Sequence, residues 1–179
     1  MRSVNADEWK SACTAEYDAL MGYHTWRLVE RPANVNIVGS RWSFRIKRDN
    51  LDRINKLKAR LVAQGFSQIP GLDFNETYSL TIRFTSIQLI LALTCKHGLQ
   101  HIDIKGAYLN GKLEEDVYMH QLQGFIQQGE EHLVCKLGKS LYGLKQSGRV
   151  WHNTLKGELT KLGFKPGDAD PTIFFLIRG

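Results

Sequence analysis

The stretch His101-Ile102-Asp103-Ile104-Lys105-Gly106-Ala107-Tyr108-Leu109-Asn110-Gly111 sets a carboxylate in a strand-like run that leads straight into a turn of small residues. A strand aspartate on its own says little, because most such residues lie at the surface or cap turns. Some thirty residues later the chain reads Ser140-Leu141-Tyr142-Gly143-Leu144-Lys145-Gln146-Ser147-Gly148-Arg149-Val150-Trp151. The two stretches have to be read together.

Taken together they resemble the reverse transcriptase of copia-type LTR retrotransposons, and the likeness runs from about Trp9 to the C-terminus. The resemblance implies an α+β fold: a partial right-hand polymerase, fingers plus the first part of the palm, with an antiparallel sheet and packed helices. It implies a single incomplete domain over 1–179, with fingers roughly at 1–80 and 113–146 and palm roughly at 81–112 and 147–179. In that family a Tyr-x-Asp-Asp turn follows the strand expected at 172–177, whereas this sequence stops at Gly179. The expectation is therefore a fragment of an RNA-directed DNA polymerase, inactive alone, whose partners are an RNA or DNA template-primer and deoxynucleoside triphosphates.

Nucleotidyl transfer uses two divalent ions roughly 3.5 to 4 Å apart, and hard cations such as Mg²⁺ take oxygen ligands. By resemblance Asp103 is the first metal ligand, with the backbone carbonyl of Ile104 beside it. Tyr108 falls where the family sets an aromatic ring beneath the incoming sugar, which would select deoxynucleotides. Lys58 and Arg60, in Lys58-Ala59-Arg60-Leu61-Val62, match the fingers strand that contacts the β and γ phosphates. Gly143, Lys145 and Gln146 match the loop and helix start that touch the templating base pair and the nucleotide. Three proline features of the family are missing: Gly148 replaces a proline, Leu80-Thr81 departs from a Ser-Pro-Val segment, and Gln121 to Phe125 lacks a proline pair.

Other expectations come from the residues alone. Trp42, Phe44 and Ile46 alternate with Ser43, Arg45 and Lys47, and Leu57, Ala59 and Leu61 alternate with Lys58 and Arg60, which is a β-hairpin pattern. If the apolar sets share one face, Arg45, Lys47, Lys58 and Arg60 crowd the other and invite an anion. Between Arg41 and Arg60 eight basic residues meet two acidic ones, so this window holds the whole net charge of +6 and points to a polyanion. A second reading follows from it: a residual or domesticated nucleic-acid-binding module without catalysis.

Helices are expected from Asp7 to Leu20, from a cap at Thr85 or Ser86 to a stop at Gly98, and from about Arg149 to Leu162. The middle one is apolar on most sides and reads as buried, and Thr172 to Ile177 reads as an apolar strand left without a partner. Its exposed edge suggests self-association. Cys13, Cys95 and Cys135 are too scattered for a zinc site or a disulfide scaffold. His97 and His101 straddle Gly98 and read as bystanders. With no signal peptide or apolar run of membrane length visible, an intracellular protein is expected, cytoplasmic in a virus-like particle or nuclear by resemblance.

Overall fold

The computed structural model describes residues 5–177, with the side chains of Lys96 and His97 outside that description. Helix α1, Ala6–Gly22, carries Asp7 and Glu8 in its first turn, where acidic groups suit the positive end of the helix dipole. Its half-buried or buried residues are Trp9, Ala12, Cys13, Glu16, Tyr17 and Leu20, a three-and-four spacing that forms one stripe. The stripe packs on the hairpin, with the Trp9 ring 5.0 Å from that of Phe44.

The hairpin is the expected one. Ser40–Arg48 (β3) and Ile54–Ala63 (β4) pair antiparallel, after the short strands Trp26–Val29 (β1) and Ile37–Val38 (β2). The register sets Trp42 opposite Leu61, Phe44 opposite Ala59 and Ile46 opposite Leu57, while Arg45 faces Lys58 and Ser43 faces Arg60. Side chains of directly paired residues share a face, so apolar and basic faces separate as the alternation requires. Strands Lys112–Met119 (β5) and Val134–Lys139 (β6) complete a second sheet of order β1-β6-β5-β2, antiparallel except where β2 runs parallel to β5. The core is gathered between this sheet, α1 and β4, from Leu20, Val38, Leu61, Val117, Met119, Leu122, Cys135, Leu137 and Leu141.

Helix α3, Ser147–Lys161, starts two residues before the expected position and ends with Leu162 as its C-cap. Four other expectations need correction. The Asp103 segment is not a strand: residues 101–104 have no strand assignment. A strand needs a neighbouring ladder, and neither edge of the β1-β6-β5-β2 sheet is offered to it.

Helix α2, Phe84–His97, exists but is not buried; Phe84, Leu89, Leu91 and Leu93 are all exposed. Its pattern asks for a cover, and no other described element packs along it. Its N-terminus is not capped by Thr85 or Ser86. The residue before it, Arg83, donates its backbone N–H to Asp170 at 3.2 Å, and the Ser86 hydroxyl donates to the same carboxylate at 2.5 Å. Finally, the strand expected over 172–177 shrinks to Phe174–Phe175 (β8), and it does have a partner, Lys165–Pro166 (β7). Asp170 accepts hydrogen bonds from both the N–H and the hydroxyl of Thr172, and that turn takes up the first residues of the expected strand. Among the described residues no helix is long and apolar enough to cross a membrane.

Candidate functional site

A cavity of about 370 Å³ brings together residues from four parts of the chain. Helix α1 and its C-cap contribute Glu16, Ala19 and Tyr23, β4 contributes Lys58 and Arg60, the 103–109 segment contributes Asp103 to Gly106 and Leu109, and the loop after β6 contributes Tyr142. Of the residues singled out in the sequence, Asp103, Ile104, Lys58 and Arg60 therefore line one space. A slightly larger hollow of about 460 Å³ lies on the sheet face beside Lys112, Glu114 and Lys136. Lys136 there is already paired with Asp116 at 2.8 Å, so it offers an anion less free charge.

The turn after Asp103 is held from α1. Tyr23 donates its hydroxyl to the carbonyl of Lys105 at 3.2 Å. Gly106 has φ of 59°, and a Cβ there would stand 3.1 Å from the Tyr23 ring. A positive φ and an aromatic wall both favour glycine. Asp103 itself is exposed and belongs to the cavity lining.

Lys58 and Arg60 are half-buried on the basic face of the hairpin. Burial lowers the Lys58 pKa first, and the neighbouring Arg60, Lys47 and Lys56 lower it further, while Glu16 raises it. Crowded cations of this kind gain from any anion that neutralises them. The Arg60 guanidinium lies over the Tyr142 ring, 4.8 Å from its centre, and Tyr142 meets Tyr108 edge to face at 4.8 Å between ring centres. Tyr108 thus backs the cavity wall through Tyr142 and is not itself among the lining residues.

The 143–146 loop is used differently from the expectation. Gly143 has φ of 93°, and a Cβ at this position would come within 2.2 Å of the Ala63 carbonyl oxygen and 2.7 Å of a Val62 methyl. The close approach that glycine permits is to β4, not to open space for a ligand. Gln146 is 1% exposed; its amide nitrogen donates to the carbonyl of Asp73 at 2.9 Å and its oxygen accepts from Gln68 at 3.0 Å. With donor and acceptor spent inside the protein, it ties the loop to the 65–74 segment and is corrected to a structural link. Lys145 lies over the Phe74 ring, 5.2 Å from its centre, away from the Asp103 cavity. At the start of α3 the Ser147 hydroxyl is likewise spent inside the protein, donating to the Leu141 carbonyl and accepting from the Ser140 hydroxyl.

The sequence reading missed Glu16, Tyr23 and Tyr142. Glu16 had a signal: an acid in the middle of the apolar stripe of α1. Among the described residues no three of His, Cys, Asp and Glu gather as a metal site. Asp103 and the Ile104 carbonyl are oxygen donors of the kind Mg²⁺ takes, but they are too few to hold an ion by themselves.

Comparison with known proteins gives the family of the chain. A family model described as "Reverse transcriptase (RNA-dependent DNA polymerase)" matches residues 23–179. The "Retrovirus-related Pol polyprotein from transposon RE1" of Arabidopsis thaliana is 41% identical over 182 aligned residues, covering 100% of this chain and 12% of the relative. The corresponding polyprotein from transposon TNT 1-94 of Nicotiana tabacum is 39% identical over 92% of this chain and 12% of its own length. The "Transposon Ty1-BL Gag-Pol polyprotein" of Saccharomyces cerevisiae is 34% identical over 70% of this chain and 7% of the relative. No solved structure matches the chain. It spans about an eighth of the length of the plant polyproteins that it matches. A family match over nearly the whole chain, together with likeness to a segment of transposon polyproteins along 92% to 100% of this chain, assigns it to the copia-type reverse transcriptase (RNA-dependent DNA polymerase) family.

Proposed function

We propose that this chain supplies the fingers and the first part of the palm of a retrotransposon RNA-directed DNA polymerase, and that the Asp103 cavity is its nucleotide site. The observation that carries this reading is the cavity itself. It joins a carboxylate to two cations more than forty residues earlier in the chain, the pairing that a metal-bound triphosphate calls for. In this reading Lys58 and Arg60 hold the triphosphate as point and fork charges. Asp103, with the Ile104 carbonyl, meets the Mg²⁺ used by the family, which when bound would activate the primer hydroxyl and steady the leaving group.

Tyr142 and, behind it, Tyr108 form an aromatic wall that fixes the Arg60 guanidinium and bounds the sugar end of the site. The basic face of the hairpin favours phosphates over bases, because its side chains are long cations with no fixed donor and acceptor pattern. The division into fingers and palm is supported by where the core lies. All of the clustered core residues except Leu109 fall at 20–63 and 113–144, in the parts assigned to the fingers, while the exposed apolar residues of α2 and of 99–104 fall in the part assigned to the palm.

Asp103 and the Ile104 carbonyl are too few to hold two divalent ions against their repulsion, and among the described residues no three of His, Cys, Asp and Glu gather to hold a metal, so the chain alone should not extend a primer on RNA or DNA with Mg²⁺. The test is a graft of residues 1–179 in place of the equivalent segment of a copia-type polymerase with measurable primer extension. The graft should extend the primer, and its Asp103→Asn version should not. Equal extension by the two would remove Asp103 from the chemistry and the reading with it.

A further inference from the structure

Glu16 stands half-buried on the stripe that α1 presents to the hairpin, between the apolar residues Cys13, Tyr17 and Leu20. A charged group at a packing position is costly unless it is bonded and paired. Two features compensate here. The backbone N–H of Leu61 on one side, and the cations Lys58 and Arg60 on the other, favour its charged form. Burial outweighs both and leaves the carboxyl above the ordinary glutamate range. Seen from the other side, Lys58 feels Arg60, Lys47 and Lys56 as like charges and Glu16 as the opposing one. The same carboxylate lines the cavity with Lys58, Arg60, Tyr142 and Asp103.

A negative group beside an anion site has a definite electrostatic sign. It steadies the cations while the site is empty and repels a phosphate that arrives. We propose that Glu16 is a resident counter-charge for Lys58 and Arg60 that stands in for the polyphosphate of the ligand and weakens its binding. This rests on the cleft reading above. The other charged or titratable groups facing Glu16 or sharing its cavity are Cys13 on its own helix, Tyr23 at the end of α1, Asp103 and Lys105 on the opposing segment, and Tyr142. Cys13 is raised by burial and then by Glu16, so as a neutral thiol it supplies no competing charge. Glu16 would thus link loading of the cleft to proton concentration, with ligand bound more tightly once the carboxyl is protonated.

The test is titration of the full chain with inorganic tripolyphosphate, comparing wild type and E16Q between about pH 8 and about pH 4, a span that brackets an elevated glutamate. Glutamine keeps an acceptor for the Leu61 N–H and removes only the charge. The ratio of the two affinities cancels the titration of the ligand itself. E16Q should bind about fivefold tighter at pH 8, the scale of one screened charge nearby, and the ratio should fall to one as the pH drops through the Glu16 pKa. Equal affinities at pH 8, weaker binding by E16Q, or a ratio independent of pH would overturn the proposal. If E16Q does not fold, E16M fits the apolar stripe and gives the same comparison. K58Q/R60Q separates the two levels of inference. If it binds like wild type, the cleft reading itself fails; if it binds weakly while E16Q is unchanged, only the role of Glu16 fails.

Discussion

The guanidinium carbon of Arg60 lies 4.8 Å from the centre of the Tyr142 ring, and the carbonyl of Tyr142 accepts the backbone N–H of Ala63 at 2.7 Å. One residue therefore both extends the edge of β4 and orients a cation that β4 carries. A cation over an aromatic face gains about 0.5 to 2 kcal/mol, more as the pair is desolvated. Tyr142→Leu should weaken triphosphate binding about three- to tenfold on that scale, whereas Tyr142→Phe should keep most of it. Titration of the two variants checks the point; a leucine variant that binds like wild type would deny the ring its role.

Gly143→Ala should be among the most damaging single changes outside the core. The new methyl would press on the Ala63 backbone and a Val62 side chain at a φ of 93°. Overpacking and left-handed strain together cost about 3 kcal/mol. A urea or guanidinium unfolding curve should show a clear fall in midpoint.

Asp170 accepts hydrogen bonds from Ser86, Thr172 and Arg83. The Ser86 hydroxyl first, then Thr172, hold its carboxyl well below the usual range. A folded-state pKa below the unfolded one near 3.9 adds stability above that value and loses it as the pH falls toward the folded pKa. Wild type should accordingly lose thermal stability below about pH 4, and Asp170→Asn should start lower and lose less over the same range. Parallel curves for the two proteins would contradict this linkage.

Helix α2 exposes Leu89 and Leu93, each more than half accessible. Exposed apolar surface of this extent favours association, so the isolated chain should self-associate in a concentration-dependent way. Leu89→Gln with Leu93→Gln should reduce that association, measured by sedimentation, with a change in unfolding free energy within about 0.5 kcal/mol because little burial is lost.

What could be read in the sequence followed the strength of each local pattern. The hairpin was legible because period-two alternation at Trp42 to Lys47 and Leu57 to Leu61 fixes both pairing and faces. Lys58 and Arg60 were placed on its basic face by the same alternation, and the structure brings them to the cavity that Asp103 also lines. The strand at Asp103 and the burial of α2 were not legible, because both depend on a neighbour that local sequence does not specify. Gln146 was misplaced because a motif gives the position of a side chain along the chain but not its direction; only the fold shows its amide spent on Gln68 and Asp73. Glu16 was overlooked although it breaks the stripe of α1, and such a break marks either a mismatch or a polar partner across the interface.

The most direct measurement of the central claim is calorimetric titration of the chain with a deoxynucleoside triphosphate, with and without Mg²⁺. The triphosphate brings oxygens of its own, which supplement the single carboxylate at Asp103. The account predicts that wild type binds more tightly with Mg²⁺, that K58Q/R60Q weakens binding at least tenfold under both conditions, and that Asp103→Asn removes the Mg²⁺ gain while leaving the metal-free affinity intact or improved. Binding that is indifferent to Lys58, Arg60 and Asp103 would contradict the assignment of this cavity as the nucleotide site.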